Sequence, residues 1–209
     1  MRLRVAFPAA IAAALLAVPL LGGPGAAAAP GCGGKNVTIP GSEENDRLKG
    51  TKRPDVIEAG AGNDLIRGLG GNDTICGGEG DDTILGGAGI DTGEGGPGND
   101  TIGGGAGFDT LVGGSGDDAL EPESGDDVVD GGPGSDTAVY ADEPAAVIVD
   151  LGKNSTIQAK GRDNLPSIEN LTGSRFDDAL YGDSAANVLR GGPGKDRLVG
   201  RGGQDVLRQ

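Results

Sequence analysis

Nine aspartates stand nine residues apart: Asp64, Asp73, Asp82, Asp91, Asp100, Asp109, Asp118, Asp127 and Asp136. Each is the sixth residue of a block whose fourth residue is glycine, from Gly62 to Gly134. The eighth residue is Ile, Leu or Val in seven of the nine blocks, with Gly93 and Ala138 as the exceptions. Carboxylates stacked by such a repeat repel one another unless a cation lies between them. The chain contains no histidine and only two cysteines, Cys32 and Cys76. That excludes HExxH zinc proteases, Ser-His-Asp triads and Cys-His dyads, and no motif supports another nucleophile. The glycine-rich turns are not nucleotide loops either. A G-x-G-x-x-G pattern would need glycine at position seven, where this frame never has it, and no Walker lysine pattern is present.

Glycine must supply the turns that carry these carboxylates. A chain that reverses every few residues needs backbone angles that most side chains forbid, and glycine also lets an ion approach the backbone. Positions seven to nine, such as Thr74-Ile75-Cys76, suit a very short strand in which only position eight points inward. One block buries almost nothing, whereas stacked blocks bury a file of Ile and Leu. Position five is often Asn or Asp, at Asn63, Asn72, Asp81, Asn99, Asp117 and Asp126. Two readings stand: a further ligand, or local capping of the turn, which these residue types favour.

Blocks such as GGEGDDTIL (residues 77–85) and GGAGFDTLV (104–112) resemble the nonapeptide G-G-x-G-x-D-x-U-x of the RTX (repeats-in-toxin) calcium-binding family, U being a large apolar residue. The resemblance implies an all-β fold, a right-handed parallel β-roll with two blocks per coil. It places Asp64, Asp82, Asp100, Asp118 and Asp136 along one column of turns, and Asp73, Asp91, Asp109 and Asp127 along the other. It implies several Ca2+ ions, about five to eight, held between a turn and the one 18 residues later by these carboxylates and by glycine carbonyls. Adjacent turns would share ligands and bind cooperatively. Calcium affinities typical of extracellular modules are weak, and coupling of binding to folding implies a chain unfolded in the cytosol and folded outside. Blocks with weaker first and second positions, notably at Pro122-Glu123, are expected to bind less well, and Gly93 to mark a soft coil.

The 209 residues include 44 Gly and 12 Pro, a share that signals disorder in an aperiodic chain. Here the fixed period overrides that signal, and a solenoid needs no aromatic-rich core because each coil packs only on its neighbours. Residues 1–29 read as a secretory signal peptide, with Arg2 and Arg4, an apolar stretch and an A-x-A cleavage site. An uncleaved anchor, or a lipoprotein signal ending at Cys32, are the alternatives. The net charge is −15, and the leader's two arginines contribute +2 of it, leaving −17. That argues against nucleic acid and anionic lipid as partners and for cations.

Residues 30–40 form a short lead, and export permits a disulfide between Cys32 and Cys76. The main roll spans 41–139, with 41–58 a degenerate cap in which Asp46 and Asp55 keep position six. Residues 140–172 break the frame. They read as a β-hairpin-like spacer followed by a loop over 161–166, packing against an array end. A second short roll occupies 173–209, with Asp178, Asn187, Asp196 and Asp205 at position six. Asp196 and Asp205 join the expected metal ligands, while Asn187 marks a weakened site. The second array reaches Gln209 without the polar tail frequent in RTX proteins exported in one step, which favours the general secretory route. Three function classes follow: a secreted calcium-binding structural or interaction module, a carbohydrate-acting enzyme or its accessory module, and a haemolysin-like toxin fragment. The first is preferred, without catalytic activity or membrane insertion. The repeats and spacer leave no room for a catalytic domain, and no apolar pore-forming stretch follows the leader. A cell-surface or polysaccharide partner is not identified by the sequence.

Overall fold

The computed structural model describes residues 32–157 and 161–209. The proposed leader therefore lies outside the described residues, as do positions 158 and 159 of the second spacer strand. Within the described residues the chain is all-β, with 19 strands and two three-residue 3-10 turns. Strands alternate between two parallel faces. One face stacks β1 (Ile39–Ser42), β3 (Val56–Ala61), β5 (Thr74–Glu79), β7 (Thr92–Pro97), β9 (Thr110–Ser115) and β11 (Val128–Asp130). The other stacks β2 (Arg47–Lys49), β4 (Leu65–Gly70), β6 (Thr83–Ala88), β8 (Thr101–Ala106), β10 (Ala119–Ser124) and β12 (Thr137–Val139), then continues to the C-terminus. Registers such as Ile57↔Ile75 and Ile66↔Ile84 advance by 18 residues, so two nonapeptides make one coil of a parallel β-roll.

Strands β3 to β10 are six residues long, not three. Each continues from position seven through the first three positions of the next block, which begin with two glycines except in β3 (Ala59-Gly60), β4 (Gly68-Leu69) and β10 (Pro122-Glu123), and glycine keeps the inter-coil pairing, as in Gly60↔Gly78, while the chain turns the corner. Position eight forms the core. Ile57, Ile75, Leu111 and Val129 on one face meet Ile66, Ile84, Ile102, Leu120 and Ala138 on the other, all buried. At Gly93 the file lacks a side chain, and the gap is occupied from across the roll by Ile102, whose Cγ2 lies 3.0 Å from where a Cβ would stand. Ile102 therefore fills its own place and part of its neighbour's. Ile102→Ala is expected to cost about 4 kcal/mol, the upper part of the range for such truncations, seen as a lower urea midpoint in saturating calcium.

The frame-breaking segment enters the roll rather than covering its end. Strands β13 (Ile148–Asp150) and β14 (Ser155–Ile157) form an antiparallel hairpin around a 3-10 turn and Asn154, which is left-handed. β13 pairs in parallel with β16 (Ala179–Tyr181), which pairs with β18 (Arg197–Val199). Asn164 bridges Val128 on one side and Ser155 on the other. The first face thus gains a hairpin between its two arrays. The second face runs directly from β12 to β15 (Asn170–Thr172), then β17 (Val188–Arg190) and β19 (Val206–Arg208). Arg201 fastens the hairpin. Its guanidinium donates to both carboxylate oxygens of Asp150, at 2.5 and 2.9 Å, and lies over the Tyr181 ring.

The stretch read as a loop over 161–166 is a further coil. Asn164 donates its N–H to the Asp127 carbonyl and Leu165 is buried in the core file. Asp163 takes position six, its Oδ1 accepting the Asp127 N–H, 36 residues away and so two coil lengths on in sequence. Glu169 does the same for Asp136. A disulfide joins Cys32 to Cys76, and Lys35 donates to Thr74 Oγ1 at 2.7 Å, so the lead lies on β5. Among the described residues no helix is long and apolar enough to cross a membrane.

Candidate metal centre

The position-six side chains form two ladders. In each, Oδ1 accepts the backbone N–H of the position-six residue 18 positions earlier. Asp64, Asp82, Asp100 and Asp118 donate in turn to Asp82, Asp100, Asp118 and Asp136, at 2.8 to 2.9 Å. Asp73, Asp91 and Asp109 donate to Asp91, Asp109 and Asp127 in the other column, at 2.7 to 2.8 Å. The ladders pass into the degenerate coils through Asp46 and Asp55, which donate to Asp64 and Asp73. In the second array Asp178 donates to Asp196 and Asn187 to Asp205, both at 3.0 Å.

The other carboxylate oxygen behaves differently. Oδ2 of Asp64, Asp73, Asp82, Asp91, Asp100, Asp109, Asp118, Asp127, Asp136 and Asp196 is buried and has no hydrogen-bond partner. Burial without a partner is costly for any polar oxygen and more so for a charged one. At Asp73, Asp82, Asp91, Asp100, Asp109, Asp118 and Asp136 this oxygen opens onto the Cα of the glycine at position one of its own block and faces a carbonyl of the next coil, whereas Ala59 and Pro122 stand at position one ahead of Asp64 and Asp127. A Cβ at Gly86 would stand 2.8 Å from Asp91 Oδ2 and 2.7 Å from the Gly104 carbonyl oxygen. At Gly104 the corresponding neighbours are Asp109 Oδ2, at 2.8 Å, and the Pro122 carbonyl oxygen, at 3.0 Å. At Gly131 they are Asp136 Oδ2 and the carbonyl oxygen of Ser167, so the inserted segment completes this turn. The glycine thus keeps clear a cradle lined by one carboxylate and by backbone carbonyls.

No three acidic, cysteine or histidine side chains gather into a metal cage among the described residues. The oxygens come instead from one side chain per turn and from the main chain. An all-oxygen donor set of this kind fits a hard cation such as Ca2+. A cation would supply the positive charge that these carboxylates lack. Asp Oδ2 and the position-one carbonyls are the groups that would hold it.

Without that charge, burial drives the carboxyl pKa values up. Asp82, Asp100, Asp109 and Asp136 rise to about 6, chiefly by burial and then by repulsion from neighbours in the ladder, against the lowering effect of the backbone N–H each accepts. Asp127 rises to about 7, through burial and then the charges of Asp163 and Asp126. Asp73, Asp91 and Asp118 rise in the same direction. A carboxyl that holds its proton more tightly when folded stabilises the fold fully below its unfolded value of 3.8, and that contribution is lost as pH climbs through about 6 to 7. The calcium-stripped protein is therefore expected to gain β structure as pH falls from 8 to 4, followed by circular dichroism. A stripped protein equally folded at pH 8 and pH 4 would contradict this.

Position five forms a ladder of its own. Asn63 Oδ1 accepts the Asp81 N–H, Asp81 Oδ1 that of Asn99, Asn99 Oδ1 that of Asp117, and Asp117 Oδ1 that of Ser135. Asn72 Oδ1 accepts the Ile90 N–H, and Asp126 Oδ1 that of Arg162. These side chains link one coil to the next, an arrangement that neither the ligand reading nor the local-capping reading anticipated. Glu123, expected to mark a weaker turn, takes a positive φ of 64° like the glycines at its block position.

Asp163 and Glu169 were missed as position-six residues. Asp163 keeps the nonapeptide phase of the first array, with Gly161 at position four and Leu165 at position eight. That phase was the signal that could have found it. Glu169 and Leu171 already follow the phase of the second array.

Two parallel faces, an 18-residue pitch and a carboxylate at each of nine successive turns define a cation-binding β-roll. Family comparison agrees: the RTX calcium-binding nonapeptide repeat matches residues 40–75, 64–93, 94–129, 103–138 and 172–207. These matches cover more than half of the chain, which belongs to that family. Comparison with curated proteins returned no significant match.

Proposed function

We propose that this chain is a secreted structural or interaction module that folds around several calcium ions outside the cell and carries no catalytic activity. The ligands are Asp64, Asp73, Asp82, Asp91, Asp100, Asp109, Asp118, Asp127 and Asp136 of the main roll, with Asp196 and Asp205 in the second. The observation that carries this reading is the unbroken run of nine buried carboxylates, each with one oxygen bonded to the previous coil and one left open. The formal charge of −15 adds a general reason for the chain to stay expanded without counter-ions. Extracellular calcium, about millimolar, suits the weak affinity of such modules. Residues 1–29 would direct export.

Calcium titration of the protein lacking residues 1–29, followed by far-UV circular dichroism with magnesium as the comparison ion, tests the reading. A cooperative gain of β signal with calcium and not with magnesium is expected. A fully folded spectrum in chelator at neutral pH would overturn calcium-coupled folding.

A further inference from the structure

Not every position-six carboxylate is open. In three coils the second carboxylate oxygen is taken by the coil itself, and in a fourth the amide oxygen of Asn187 is. Ser42 donates its N–H and its hydroxyl to Asp46 Oδ2, at 2.7 and 2.8 Å. Thr51 does the same to Asp55 Oδ2, at 2.7 and 2.9 Å. Ser174 donates its N–H to Asp178 Oδ2 at 2.6 Å and its hydroxyl to Oδ1. Asp183 donates its N–H to Asn187 Oδ1 at 2.9 Å. All four donors are the second residue of their block.

The backbone at position two divides the coils in the same way. Where Oδ2 is open, position two has a positive φ: 114° at Gly60, 115° at Gly78, 116° at Gly87, 117° at Gly96, and 89° at Gly192 ahead of Asp196. Leu69 and Glu123 adopt it as well, at 80° and 64°, ahead of Asp73 and Asp127. None of Ser42, Thr51, Ser174 and Asp183 does so. A positive φ carries the position-two N–H away from the carboxylate, and the oxygen stays unpartnered. An ordinary φ brings that N–H onto the oxygen, and a hydroxyl, where there is one, onto the same carboxylate. Leu69 holds a conformation that costs a non-glycine residue, and such outliers persist where surroundings impose them, commonly at binding sites.

We propose that the φ sign at position two decides which coils take calcium, and that Thr51 and Ser174 are built-in substitutes for the ion. Their hydroxyl and N–H supply the positive partners that a cation would supply, so the coils of Asp55 and Asp178 close without metal. The cradle is otherwise retained there. A Cβ at Gly173 would face both Asp178 Oδ2 and the Gly191 carbonyl oxygen, as in the open coils. The calcium-dependent run is thereby bounded by metal-free coils before Asp64 and after the inserted segment. Asp163 follows the same logic at the insertion, where its Oδ2 accepts the hydroxyls of Tyr140, at 3.0 Å, and Thr156, at 3.3 Å.

This inference rests on calcium being the ligand, and ion stoichiometry separates the two. Isothermal titration with calcium, on the full chain and with folding in calcium verified by circular dichroism, reads the number bound. Thr51→Gly can adopt the positive φ and loses the hydroxyl, so it is expected to bind one more ion than the parent. Thr51→Ser keeps the hydroxyl and should bind the parental number. Leu69→Thr is the reciprocal change at a partly exposed residue. A β-branched side chain rejects the positive φ and brings a hydroxyl to Asp73, so one ion is expected to be lost while the fold is retained. If the parent binds no calcium, the functional reading falls and this inference with it. If the parent binds calcium while folded Thr51→Gly or folded Leu69→Thr matches its number, the position-two rule alone is overturned.

Discussion

Gly78→Ala is expected to destabilise the calcium-bound protein by more than about 4 kcal/mol, the range reserved for backbone and packing failures. Gly78 has φ 115°, and the added methyl would overlap the carbonyl oxygen of Gly60 in the coil before. The left-handed region alone costs a residue with a Cβ about 1–2 kcal/mol. Relief by movement is blocked, because Gly60↔Gly78 is a paired position of β3 and β5, and Gly62 donates its N–H to the Glu79 carbonyl at 2.8 Å. Opening the coils there would break the ladder on both sides. Gly103→Ala is the matched comparison. Its φ is not positive, and the nearest atom to a new Cβ is Leu85 Cδ2 at 3.2 Å, the far end of a flexible side chain. Its expected cost is below about 1 kcal/mol. Thermal unfolding of both variants in saturating calcium compares them directly. Equal midpoints would mean that the corner glycines do not enforce the pitch of the roll.

Asp100→Ala is expected to remove at least one bound ion and to raise the half-saturating calcium concentration at least about tenfold, corresponding to about 1.4 kcal/mol. Two losses combine. The Asp82 N–H loses its acceptor, a bond of 2.8 Å to a charged oxygen, worth about 1.5–3 kcal/mol. The open Oδ2, which faces the Gly113 carbonyl across Gly95, disappears with it. Asp82 and Asp118 stand on either side in the same column, so the damage should spread to the adjacent turn. Asp100→Asn separates the two losses, since an amide oxygen still accepts the Asp82 N–H but carries no charge. Its folding without calcium should exceed that of Asp100→Ala while its calcium stoichiometry falls equally. Unchanged stoichiometry in both variants would refute the arrangement of sites in two columns.

Much of this architecture is written in local residue choice. An aspartate and a large apolar residue two positions apart, repeated every nine residues, leave one solution in which apolar groups share an interior and carboxylates share the turns. Ile75, Ile84, Ile102 and Leu111 could be assigned to the core from that period alone, and they are buried. The parallel roll with two blocks per coil followed from resemblance rather than from the period, since a nine-residue repeat does not state how many blocks close a coil.

What the period could not show depends on contacts made 18, 33 or 36 residues away. The position-five ladder is one case, because Asn63 and Asp81 become neighbours only once the pitch is fixed. The inserted hairpin is another. Nothing in Ile148–Asp150 specifies pairing with Ala179–Tyr181, and Gly161 to Leu165 looked like a loop because its coil lacks the adjoining block. The openness of each carboxylate is the third case. Asp55 and Asp73 occupy the same block position and were read as degenerate and regular only from their glycines. The tertiary structure closes one with Thr51 and leaves the other open behind Leu69. Composition and period determined that carboxylates line the turns. Stacking, by imposing a φ sign on the second residue of each block, decided which of them need an ion.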